Sequence, residues 1–181
     1  LELSHDVSEY ISQVCKLDFH RDSRSAIQYG IDLVYGWLSE DLILNFLKNE
    51  GVNVQLSGND KFREFLKSND IGTESDLVIE IQGISRPLEL VISWNNYWEK
   101  SKCWDLRDSK FRRLTKIGHE SLCLGIELFD LKSFLVDMSE ARDLFKSRNN
   151  PAWGGKRCFS YFGINEELRP LREVLGELKS L

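Results

Sequence analysis

Residues 75–94, SDLVIEIQGISRPLELVISW, alternate apolar and polar side chains in two runs separated by a glycine-containing break. Such period-two alternation predicts two strands, 76–82 and 87–94, joined by a tight turn at GISR. Successive side chains on a strand point to opposite faces. Leu77, Ile79 and Ile81 therefore share one face of the first strand, and Leu88, Leu90, Ile92 and Trp94 share one face of the second. With both apolar sets on one core, Asp76 and Glu89 fall together on the opposite side. Two carboxylates held together repel unless one is protonated or a cation lies between them. Oxygen donors of this kind suit Mg²⁺ or Mn²⁺. The competing interpretation is a pair of solvated charges on a half-exposed sheet.

The flanking sequence predicts an α/β fold with a central mixed β-sheet between helices. A short helical pattern covers 7–17. A longer helix spans 25–50, with a break near Gly36 and Ser39 as an N-cap ahead of Glu40 and Asp41. Gly51 stops it, and 52–56 alternates as a strand. Further helices are expected over 61–68, 98–117, 131–148 and 165–181. SLCLGIEL, 121–128, reads as a buried strand, and 157–162 as a last strand. The strand, helix and strand over 87–128 make a right-handed βαβ crossover. The length of 181 residues suits one domain, 1–181.

Two further charged residues stand in apolar stripes. In the 98–117 helix, Lys110 lies in line with Cys103, Leu106, Leu114 and Ile117. A lysine there either snorkels to water or points at negative charge, and the Glu89 strand precedes it directly. Glu40 lies in line with Trp37, Leu44 and Leu47. It is either a first-turn charge favoured by the helix dipole or a site residue.

An acidic helix, an Asp at a strand start, a hairpin to a strand with an internal Glu, then a helix and a buried strand resemble the PD-(D/E)XK nuclease superfamily. The resemblance covers about residues 36–130, which it makes the nuclease core, with helical extensions at 1–35 and 131–181. It implies a restriction-endonuclease-like αβββαβ core, with Asp76 and Glu89 as catalytic ligands of Mg²⁺ or Mn²⁺ and Glu40 as the additional acid. The motif's lysine position is Val91 here, in LELV, and Ser75 stands where the motif has proline. In some branches the lysine comes from the following helix, which makes Lys110 the catalytic lysine and Lys102 the second choice. The implied activity is metal-dependent endonucleolytic cleavage in a restriction, repair, mobile-element or defence system. The alternative is an inactive nuclease-like domain that binds nucleic acid or assembles with protein. A third interpretation is an unrelated α/β interaction domain.

Net charge is −5, which argues against a general nucleic-acid coat but leaves room for a local basic patch. Lys100, Lys102, Arg107, Arg112 and Arg113 form the most basic stretch, with Trp98 beside them, and suit phosphate contact and base stacking. They are equally compatible with a salt-bridged helix face over core aromatics. The expected partner is nucleic acid, DNA ahead of RNA, with a homodimer or larger complex in view. Cys15, Cys103, Cys123 and Cys158 have no metal-ligand spacing and read as free thiols, and His5, His20 and His119 are scattered. No apolar run of about 18 residues and no signal peptide is visible, which gives an expected cytoplasmic location with no membrane span.

Overall fold

A computed structural model of the chain describes residues 7–16, 25–58, 63, 74–94, 97–116, 120–151, 154–162 and 167–181. The helix expected at 61–68 lies, apart from Arg63, outside the described residues, as do the three histidines.

The chain is mixed α/β. Its described elements are α1 (Val7–Cys15), α2 (Ala26–Asn49), β1 (Asn53–Leu56), β2 (Leu77–Ile81), β3 (Ile84–Ser93), α3 (Tyr97–Ser101), β4 (Trp104–Arg107), α4 (Asp108–Leu114), β5 (Leu122–Glu127), β6 (Lys132–Asp137), a 3₁₀ turn (Ala141–Leu144), β7 (Lys146–Asn150), β8 (Lys156–Tyr161), β9 (Arg169–Pro170) and α5 (Leu171–Ser180). Six strands form one sheet in the order β1-β2-β3-β5-β6-β9, and β4, β8 and β7 form a second. The large sheet is antiparallel except between β3 and β5, which run parallel. Among the described residues no helix is long and apolar enough to cross a membrane.

The β2–β3 turn is tighter than GISR suggests. Gln82 (φ 51°) and Gly83 (φ 80°) both take the left-handed region, so the turn is a two-residue loop and β3 already starts at Ile84. Such turns match the twist of the strands they join. The helix α2 runs unbroken through Gly36. Its cap is Ser25, whose side chain accepts from the Gln28 N–H, and not Ser39. Ser39 is buried in mid-helix and donates instead to the Tyr35 carbonyl at 2.6 Å. Gly51 (φ 83°) ends the helix as expected, with Val52 N–H reaching back to the Leu47 carbonyl.

Two expected helices are corrected. The 98–117 segment breaks at Lys102 (φ 56°), and its middle is β4. Trp104 and Leu106 are buried two apart, which is a strand period, and helix resumes only at Asp108. The 131–148 segment is β6, a 3₁₀ turn and the start of β7, so the C-terminal region is not a helical extension. Phe134, Val136 and Met138 alternate into the core, and β-branched and aromatic side chains suit that role. The expected last strand and last helix are present as β8 and α5.

Two hydrophobic clusters cover the two faces of the large sheet. Ile43, Leu44 and Leu47 of α2, with Val174, Leu175 and Leu178 of α5, pack on Leu77, Leu88, Leu122 and Leu124. On the other face Trp98, Trp104, Phe111, Leu114, Phe145 and Tyr161 gather around Phe134 and Cys123. Gly125 in β5 sits under the Phe134 ring: a Cβ there would lie 1.9 Å from a ring carbon. The ring cannot swing away, because Trp98 and Trp104 hold it at centroid distances of 5.3 and 4.8 Å. Gly125→Ala is therefore expected to destabilise the fold by about 2–3 kcal/mol. A thermal melt should show a fall of roughly 5–10 °C, and an unchanged melt would mean that the ring is not clamped.

Candidate metal and phosphodiester site

The site is built on the face of the large sheet that carries the aromatic cluster. Leu77 pairs with Leu88, so Asp76, one residue before β2, stands at the register position facing Glu89. The Leu90 N–H donates to Asp76 Oδ2 at 2.8 Å, which ties the loop carboxylate to β3. Asp76 and Glu89 are 7 % and 5 % exposed, so these are not the solvated charges of an open sheet.

The third member arrives from α4, which lies between β3 and β5 in the chain. Lys110 Nζ is 2.6 Å from Glu89 Oε1 and 3.4 Å from Asp76 Oδ1, and it donates also to the Glu74 carbonyl. Arg113, one turn further along α4, approaches the other Glu89 oxygen at 3.2 Å. The two carboxylates therefore share one ammonium, and Glu89 has a guanidinium as well. Burial and the Asp76 charge push Glu89 up to about 7, against the pull of Lys110 and Arg113. Burial alone would lower the Lys110 pKa, but the charges of Asp76 and Glu89 outweigh it and raise it. Lys110 is thus held as an ammonium at neutral pH. Cys123 pairs with Glu89 across β3 and β5, and its thiol is raised well above its usual value by burial and by the same two carboxylates.

Glu40 does not join this pair. It and Asp41 are ion-paired to Arg63, Asp41 at 2.8 Å, and the Arg63 side chain is fully buried. Burial lowers the Arg63 pKa, but the two carboxylates outweigh it and raise it. Among the described residues no group of three or more His, Cys, Asp or Glu side chains could hold a metal ion, so Asp76, Glu89 and Glu40 do not form one ligand set.

The basic stretch is divided by the fold. Trp98 is buried, edge-on to Phe134, and is a core residue, not a stacking platform. Arg113 faces Glu89. Arg112 is exposed on the other side of α4 and pairs with Asp108. Lys100, Lys102 and Arg107 are exposed, and none is brought to the carboxylate pair. Val91, where the resemblance expects a lysine, is half-buried at the edge of the aromatic cluster. Sequence reasoning missed the Arg113–Glu89 contact. Its signal was present, since positions 110 and 113 lie on one helix face.

No family model matches the chain, and no curated protein matches it.

Proposed function

We propose that the protein is a divalent-metal-dependent nuclease of the PD-(D/E)XK type, with Asp76, Glu89 and Lys110 as its working residues. The observation that carries this reading is the convergence of two buried carboxylates, one just before β2 and one within β3, on a lysine from α4. The strand order supports it: an antiparallel β1-β2-β3 meander joined through a helical crossover to a parallel β5 behind the site. This fits the αβββαβ core of that superfamily, with the small β4-β8-β7 sheet as an added layer.

The residues fit a hard cation. Asp76 and Glu89 offer oxygen donors, burial and then their mutual repulsion raise the Glu89 pKa, and a positive group already stands between them. These two would hold Mg²⁺ or Mn²⁺, which when bound makes a water more acidic and offsets charge on the phosphoryl oxygens. The Leu90 N–H fixes Asp76, and Arg113 fixes Glu89 from the far side. Lys110 is a cation and not a base while it faces the two carboxylates. Its part is to hold a water or phosphate oxygen by hydrogen bonding and to stabilise negative charge as it develops.

A second reading has its own support. Val91 replaces the motif lysine, and Lys110 already neutralises the carboxylates without a metal. That arrangement suits an inactive nuclease-like module which binds nucleic acid or assembles with protein.

Labelled single- and double-stranded DNA and RNA, incubated with Mg²⁺, Mn²⁺ or EDTA, separate the two. Cleavage that EDTA stops supports the nuclease. Protein that never cuts but binds the strands supports the module. Thermal melts test the metal site by itself. A carboxyl raised from 4.5 to about 7 by folding binds its proton more tightly when folded. Its contribution to stability is full below about pH 4.5 and is lost as pH rises to about 7. A cation replacing that proton relieves the cost, so Mn²⁺ should raise the melting temperature more at pH 8 than at pH 5.5. An equal or absent shift at both values would count against the site.

A further inference from the structure

A second basic surface begins on the side of α4 turned away from the carboxylates. A cleft of about 810 Å³ is lined by Phe111, Phe145 and Phe159, with Arg112, Lys116, Arg142 and Arg157 around them. Four cations stand around the cleft against Asp143 in its lining and Asp108 beside two of them, a local positive excess in a chain of net charge −5. The aromatic floor is rigid. Phe111 stacks on Phe159 at 3.9 Å with an interplanar angle of 10°, and Phe145 closes against Phe111 at 5.1 Å.

The cations differ in what they already do. Arg112 and Arg157 both approach Asp108, at 2.8 and 3.7 Å, and Arg157 also lies over the Phe159 ring at 5.3 Å. Lys116 and Arg142 are exposed and make no ion pair among the described residues. They stand on different segments, Lys116 two residues past the end of α4 and Arg142 in the 3₁₀ turn. Unpaired cations on separate elements around one cleft repel each other, and an anion between them would relieve that repulsion.

We infer that this cleft holds the phosphodiester backbone of a nucleic-acid strand whose neighbouring segment lies in the carboxylate site. The choice of nucleic acid over an acidic peptide rests on the nuclease reading of that site. The two surfaces share α4. Lys110 and Arg113 face the carboxylates, whereas Phe111, Arg112, Thr115 and Lys116 line the cleft. The two surfaces lie on opposite faces of the same helix, one helix diameter apart, roughly 10–12 Å. A strand leaving one reaches the other by passing around α4, a distance of a few nucleotides. None of the cleft cations touches Asp76 or Glu89, so their role is to position the strand and not to act in the chemistry.

The test is equilibrium binding of labelled single- and double-stranded oligonucleotides in EDTA, by anisotropy, across a range of KCl concentrations. Wild type is compared with the double variant Lys116→Glu/Arg142→Glu and with Lys116→Gln/Arg142→Gln, all first checked by thermal melt. Loss of two phosphate contacts should weaken binding at least about tenfold at low salt. It should also flatten the slope of log K on log[salt] by about 1.4 for a single strand or about 1.8 for B-form duplex. The glutamine pair should show the flattened slope with a smaller loss, which separates missing contacts from added repulsion.

Unchanged affinity and slope in both variants would overturn the inference. So would a wild type that binds neither strand type, or one that prefers polyglutamate to both. The parent reading is judged separately, by EDTA-sensitive cleavage in wild type. A protein that cuts, but whose double variants bind as it does, loses the cleft alone. One that binds through the cleft and never cuts keeps the cleft and loses the nuclease.

Discussion

Asp76→Asn and Lys110→Met should each reduce metal-dependent cleavage by about a thousandfold, but for different reasons that a second measurement exposes. Asp76→Asn keeps the shape of the side chain and an oxygen for the Leu90 N–H, but removes a charge from the proposed metal pair. It should therefore lose both cleavage and the Mn²⁺-induced rise in melting temperature. Lys110→Met removes the ammonium that sits 2.6 Å from Glu89, so the carboxylates are left to a metal ion without a competitor. It should lose cleavage while keeping or enlarging the Mn²⁺ shift. Retention of cleavage in Lys110→Met would show that Lys110 is not the displaced lysine. Lys102, exposed just before β4, would not take over easily, because no contact brings it to the carboxylates.

The largest stability effect is expected away from the site, at Arg63→Met. The guanidinium is fully buried and balances Asp41, 1 % exposed, together with Glu40. Taking away one member of a buried ion cluster leaves the others uncompensated, at a cost of about 3–5 kcal/mol. For a chain of this size that is a fall in melting temperature of roughly 10 °C or more. The triple variant Arg63→Met/Glu40→Gln/Asp41→Asn should recover much of the loss, since it removes the stranded charges as well. Glu40→Gln alone bears on the metal site. It should lower the melting temperature but leave the Mn²⁺ shift intact, whereas a lost shift would return Glu40 to the ligand set.

The hairpin and its two carboxylates were legible because alternation on a strand is a local signal with a fixed meaning. Leu77 and Leu88 face one core, so Asp76 and Glu89 must face away from it. The direction of Lys110 was legible too, although the helix assigned to it was not. Leu106 and Leu114 flank Lys110 at four-residue spacing, but Leu106 belongs to β4 and Leu114 to α4. A strand and a helix meeting at Arg107 imitated one helical stripe. The run SFLVDM around Phe134 has the same ambiguity, because short apolar runs fit either period and the deciding contacts come from Trp98 and Trp104. Arg63 carried no signal at all. Its partners are 22 and 23 residues away, and no period links them. By contrast, the division of labour between Arg112 and Arg113 could have been read, since neighbours on a helix point about 100° apart and only Arg113 shares the face of Lys110 at i+3.

The two faces of α4 have a thermodynamic consequence. One short helix and the two residues after it deliver Lys110 and Arg113 to the carboxylates and Arg112 and Lys116 to the cleft. Whatever displaces Lys110 from Glu89 also acts on the element that shapes the cleft. To the extent that occupancy of one side repositions α4, it changes affinity on the other, and by the same factor in both directions. The helix is then the element through which two equilibria are coupled.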